Sequence, residues 1–158
     1  KQKSDQDWGA LTLPLGVSLR PLPLNQSELI QAALLDINPE VIASILKNLE
    51  KFERNKKYLE KDMTLAKMAV SLNTNMKYAS KIIAHYRNKR TIDYISDLKI
   101  DHIIALLKNE SKYRNYTNKA LGEESGFGST QNFTRAFNNR TGLSPTYFIN
   151  KLKSQQNT

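Results

Sequence analysis

Side chains able to do covalent or metal chemistry are scarce in this 158-residue chain. It has no cysteine, which excludes thiolate nucleophiles, disulfides and cysteine zinc sites. His85 and His102 are its two histidines, too few for a multi-histidine metal centre. Asp93, Asp97 and Asp101 recur every four residues but have no clustered partner ligands, so a solvated helix face is expected. No Ser-His-Asp spacing and no phosphate-cradling glycine loop occurs. No enzyme activity, cofactor or metal is therefore expected. What stands out is the run Thr130-Gln131-Asn132, followed by Arg135. Arginine pairs with O6 and N7 of guanine; glutamine and asparagine pair with N6 and N7 of adenine. These side chains fall at positions one, two, three and six after Ser129, a good N-cap, so one helix would present them together.

The elements that would position them occur twice. Residues 65–83 read LAKMAVSLNTNMKYASKII and residues 118–137 read NKALGEESGFGSTQNFTRAF. Ala69 matches Gly122, Asn73 matches Gly126 and, after one extra residue at Gly128, Asn75 matches Ser129. Each half is a short helix, a tight break and an N-capped second helix, the helix-turn-helix plan. The small residue lets the helices approach, the turn residue tolerates positive φ, and the cap satisfies free backbone N–H groups. In the first half the corresponding exposed positions are Met76, Lys77, Tyr78 and Lys81.

Charge agrees with an anionic partner. The net charge is +9, and residues 41–158 alone carry 21 basic and 10 acidic residues. So basic a domain suggests nucleic acid first and an anionic membrane surface second. No apolar run is long enough to cross a membrane, so no span is expected in this chain.

The expected fold is all-α: two helix-turn-helix subdomains bridged by a long helix, preceded by an extended arm and a short helix. Residues 1–38 read as arm or linker, 39–154 as the domain and 155–158 as a tail. Pro14, Pro21 and Pro23 forbid a continuous helix in the arm, yet it is rich in leucine. Two readings of it stand: a strap packed on the domain, or a docking and dimerisation segment. Asn25 to Glu28 resembles a capping box opening a helix over about 26–35. Asn38-Pro39-Glu40 starts another, to about 55. Further helices are expected at about 65–72, 76–88, 91–108, 118–125, 130–140 and from Pro145 onward, with a polar loop over 109–117. On 91–108 the buried stripe would be Ile92, Ile95, Leu98, Ile103, Leu106 and Leu107. Phe127, Phe133, Phe137 and Phe148 read as core. Lys56, Lys57, Arg87, Lys89 and Arg90 read as solubility or phosphate-contact charges.

Residues from about 41 to 152 resemble the DNA-binding domain of the AraC/XylS family of bacterial transcription regulators. The most specific stretch is Gly126-Phe127-Gly128-Ser129, then Gln131 to Phe137, then Thr141-Gly142-Leu143-Ser144-Pro145 and Tyr147-Phe148. The resemblance implies a cytoplasmic, sequence-specific binder of double-stranded DNA with two recognition helices in adjacent major grooves. Carried over by position, Lys77, Ser80 and Lys81 would face one groove, and Thr130, Gln131, Asn132 and Arg135 the next. Asn75, Tyr78, His85 and Ser129 are the phosphate-contact candidates. Two departures, Asn118 for an aliphatic residue and Gly122 for alanine, weaken the helix that carries them. RNA polymerase is an expected further partner, and a homodimer through the N-terminal arm another. Residues 46–52 and 56–59 also resemble a subgroup in which this domain follows a helical-repeat region and a membrane span, which would make the chain the cytoplasmic end of an anchored protein. The rival reading is a protein-interaction or dimerisation module that uses the arm and has only non-specific DNA affinity.

Overall fold

The structure is a computed structural model that describes residues 25–156. The chain divides into two compact units, Lys1–Val41 and Ile42–Thr158. The arm over residues 1–24 lies outside the described residues, and so do residues 157 and 158. All regular structure among the described residues is helical.

In the first unit, helix α1 (Gln26–Leu35) opens with the expected reciprocal cap. The Asn25 side chain accepts from the Glu28 backbone N–H at 2.8 Å, and Glu28 accepts from that of Asn25 at 2.9 Å. Ala32, Leu35 and Ile37 are buried, whereas Leu29, Ile30 and Leu34 are exposed. Helix α2 (Pro39–Arg54) starts where Asn38 accepts from the Glu40 N–H at 2.8 Å.

In the second unit, Ile42, Ile45, Leu49 and Phe52 form the buried stripe of α2, at helical spacing. A 3-10 turn over Lys57–Leu59 leads to the short helix α3 (Leu65–Ser71) and then to α4 (Met76–Tyr86). The 19-residue helix α5 (Thr91–Asn109) follows. A 3-10 turn at Ser111–Asn115 then precedes α6 (Asn118–Glu124), α7 (Thr130–Thr141) and α8 (Pro145–Gln156). Helix α8 therefore extends into the segment expected as tail.

The second half has its own core. Ile100, Ile103 and Leu107 of α5 pack with Leu121, Phe127, Phe133, Phe137 and Ile149. Phe127, Phe133, Phe137 and Phe148 form a chain of tilted and edge-on rings with centroids 5.7, 5.9 and 5.4 Å apart. Such geometry adds to simple burial through the ring quadrupoles. Met68, Leu72, Ala79, Ile82 and Ile83 are the corresponding buried groups of α3 and α4.

Two expectations are corrected here. In the expected α5 stripe Ile92 is 67% exposed and Leu98 and Leu106 are half-buried, while Ile100, outside that stripe, is fully buried. Tyr94 takes the inward place in the first turn of α5, and a residue two positions earlier is rotated by about 200°. The segment expected as a polar loop contains the 3-10 turn, which buries Arg114. Its Nε donates to the Leu107 carbonyl at 2.6 Å and its Nη2 to that of Lys108 at 3.0 Å. Arg114 thus satisfies carbonyls that the end of α5 leaves without helical partners.

Candidate nucleic-acid interface

The repeat is realised as two like-built helix pairs. In the first, Thr64 caps α3 by accepting from the Lys67 N–H at 3.2 Å. The chain turns at Asn73, in the left-handed region at φ 56°. Asn75 then caps α4 by accepting from Tyr78 N–H at 2.8 Å. In the second, Thr117 caps α6 by accepting from Ala120 N–H at 3.0 Å. Gly126 turns the chain at φ 80°, and Ser129 caps α7 by accepting from Asn132 N–H at 3.1 Å. A Cβ on Gly122 would lie 3.2 Å from Phe133 Cβ, so the lack of a side chain there lets α6 lie against α7.

The caps leave the remaining first-turn N–H groups of α4 and α7 pointing along the helix axis, where a phosphate oxygen is favoured. On α4, Asn75 and Lys77 are exposed, and Tyr78, Ser80 and Lys81 are half-buried. His85 is exposed at the far end of α4, its ring edge-on to Tyr86 at 4.8 Å between centroids. On α7, Gln131, Asn132 and Arg135 are exposed and Thr130 is half-buried. Arg135 Nη1 donates to Asn132 Oδ1 at 3.2 Å, so the two side chains hold each other one helical turn apart.

Gln131, Thr134, Arg135, Asn138 and Asn139 line an open depression of about 630 Å³ on α7. Thr134, Asn138 and Asn139 were not among the expected site residues. The signal was present, since 131, 134, 135, 138 and 139 fall on one helical face. A second groove, of about 670 Å³, lies between the helix pairs. Ser80 and Ala84 of α4 line it, as do Asn132 of α7 and Ile92, Ile95 and Lys99 of α5. One expected site residue from each capped helix therefore opens on the same groove.

Several charges read as solubility or phosphate-contact groups are paired, Arg87 and Lys89 with partly buried carboxylates, Lys57 and Arg90 in exposed surface pairs. Arg87 donates through Nε and Nη2 to the two Glu53 oxygens at 2.9 and 3.2 Å, and Tyr94 donates its hydroxyl to the same carboxylate. Burial alone would raise the Glu53 pKa, but the hydrogen bonds from Arg87 and Tyr94 outweigh it and hold it below its ordinary value. Burial, then the bond to Glu53, pushes the Tyr94 hydroxyl well up. Lys89 pairs with Asp97 at 2.6 Å, Arg90 with Asp93 at 2.9 Å and Lys57 with Glu60 at 2.8 Å. Arg140 of α7 reaches Asp101 at 3.0 Å and Asp97 at 3.6 Å. The aspartates of α5 are thus not a merely solvated face: Asp97 and Asp101 fasten that helix to its neighbours. His102, half-buried on α5, has its pKa lowered by burial and by Lys56, against the opposing pull of Glu124.

No family model matches the chain, and no curated protein does. Two solved structures are similar to it. One is the C-terminal domain of AraT, a response regulator from Geobacillus stearothermophilus. It has 19% sequence identity and a TM-score of 0.58, over 68% of this chain and 84% of that one. The other is a DNA-binding transcriptional dual regulator from Escherichia coli K-12, with 16% identity and a TM-score of 0.53, over 63% of this chain and 85% of that one. At these identities the likeness is one of fold: an all-helical architecture shared with domains of two bacterial regulators.

Proposed function

We propose that this chain is a sequence-specific DNA-binding domain of a bacterial transcription regulator of the AraC/XylS type. Residues 39–154 would form the DNA-binding domain, and α4 and α7 would enter adjacent major grooves of one duplex. The observation that carries this reading is the duplicated pair of capped helices, each of which sets one polar side chain, Ser80 of α4 and Asn132 of α7, on a shared groove. Lys77, Ser80 and Lys81 would work in one major groove, and Thr130, Gln131, Asn132 and Arg135 in the next. Asn75, Tyr78, His85 and Ser129 would meet phosphates, with the N–H groups beside the two caps contributing. Cationic contacts give salt-dependent affinity, and the base-edge groups give sequence choice. The shared fold with two regulator domains supports the reading. A cytoplasmic setting and contact with RNA polymerase belong to the same proposal.

The test is selection from a randomised duplex library at two salt concentrations, with sequencing of the bound pool. An enriched motif in two parts, about one helical turn or ~34 Å apart, is expected. Salt-sensitive binding with no enrichment would reduce the chain to a basic coat for DNA.

The exposed Leu29, Ile30 and Leu34 favour a second role for the N-terminal unit, self-association. Removing residues 1–38 should then abolish the dimer while DNA binding persists. An unchanged oligomeric state in the truncated chain would exclude it.

A further inference from the structure

We infer that Lys99, at the middle of α5, is a positioning residue that sets the separation of the two helix pairs and hence the spacing of DNA half-sites; the second clause rests on the proposed function, the first does not. Lys99 is 5% exposed, unusual for a lysine. Its ammonium donates to the Glu60 carbonyl at 3.2 Å and also to the Gly126 carbonyl, and it lies 5.5 Å from the centroid of the Phe127 ring. Glu60 belongs to the segment that feeds α3. Gly126 is the turn between α6 and α7. One buried cation therefore grips the entrance of the first helix pair and the elbow of the second.

The approach it holds is close. A Cβ on Gly126 would sit 2.1 Å from the Leu59 carbonyl oxygen. Beside this pin the two pairs face each other across the open groove, with Ser80 on one wall and Asn132 on the other. Beside the open groove, the Lys99 tie and the Leu59–Gly126 approach bring the two pairs together. Burial lowers the Lys99 pKa and Asp62 opposes that shift, so the desolvated ammonium depends on its two carbonyl acceptors to stay charged. A buried polar tie is weak evidence for added stability, and its role here is read as fixing geometry.

The chain has no cysteine, so spin labels can be placed at Val70→Cys on α3 and Lys119→Cys on α6 without background. With Lys99 in place, the label-to-label distance distribution should be narrow. Lys99→Met should broaden it, and Lys99→Arg, which keeps a cationic donor, should restore most of the narrowness. If the methionine variant does not fold, Lys99→Gln takes its place, since one shorter amide cannot span both carbonyls. In binding, one inserted base pair between the selected half-sites should weaken the unsubstituted protein about tenfold or more, a loss comparable to a mismatch. That ratio should fall toward unity in Lys99→Met. An equally narrow distribution in the folded methionine or glutamine variant overturns the inference. A library that yields no two-part motif overturns the proposed function alone and leaves the distance measurement standing.

Discussion

Arg135 and Asn132 form the most informative pair of side chains on the exposed face of α7. Their hydrogen bond, at 3.2 Å, restrains a long side chain before any ligand arrives. Less conformational entropy is then lost on binding than for a free arginine. Arg135→Ala should cost about 1–3 kcal/mol of discrimination at one base pair of the selected site, read by competition between duplexes. An equal loss on random duplex would show that the guanidinium contacts phosphate instead. Two glycines separate backbone strain from crowding. Gly126 and Gly142 share nearly the same dihedral, φ 80° and 79°, but only Gly126 has atoms within 4 Å of a Cβ. Gly142→Ala should cost about the 1–2 kcal/mol of left-handed strain. Gly126→Ala should exceed it clearly in the same denaturant titration, because the Leu59 carbonyl must move. The residues legible in the sequence were those whose partners lie within four positions, such as Asn25, Thr64, Asn75 and Ser129. Arg87, Lys99 and Arg114 were not, since each is explained by a carboxylate or carbonyl that sequence spacing does not bring near.

At the scale of elements, Glu53 joins the end of α2 to the exit of α4 and the first turn of α5. Its partners Arg87 and Tyr94 lie 34 and 41 positions away. This clamp explains why the α5 stripe fails at its start: apolar periodicity names Ile92, but a hydrogen bond turns Tyr94 inward. The Glu53 carboxyl is held below its ordinary 4.5 when folded. Its stabilisation is therefore complete above that value and is lost as pH falls through the folded pKa. Glu53→Gln should cost about 1–3 kcal/mol at neutral pH, within the range for hydrogen bonds to a charged group. It should also flatten the fall in melting temperature below pH ~4.5. A variant with the acid limb of the native protein would show that other carboxylates set that limb. Helix starts, by contrast, were readable to within a residue or two, because caps and proline act locally.

At the scale of the molecule, the duplication was readable because the two copies put a turn residue and an N-cap at matching positions, Asn73 with Gly126 and Asn75 with Ser129, although the residue types differ. The ties between the copies were not readable. Lys99, Arg140 and the Leu59–Gly126 approach are contacts between segments 27 to 67 residues apart, and composition gives no hint of them. Helix α5 is their common element. Its face carries Tyr94 and Ile95 at one end and Ile100, Ile103 and Leu107 in the second core. A helix embedded in this way cannot open without exposing the rings that pack on it, so its motion is coupled to that of its surroundings. In hydrogen exchange, the amides of Ile100, Ile103 and Leu107 should be the slowest in the chain, exchanging only when the whole domain unfolds. The amides of α3 and α6, seven residues each, should exchange earlier through local opening. Destabilising one helix pair would then lower protection in the other through their shared strut, so that damage on one side registers as lost order on both.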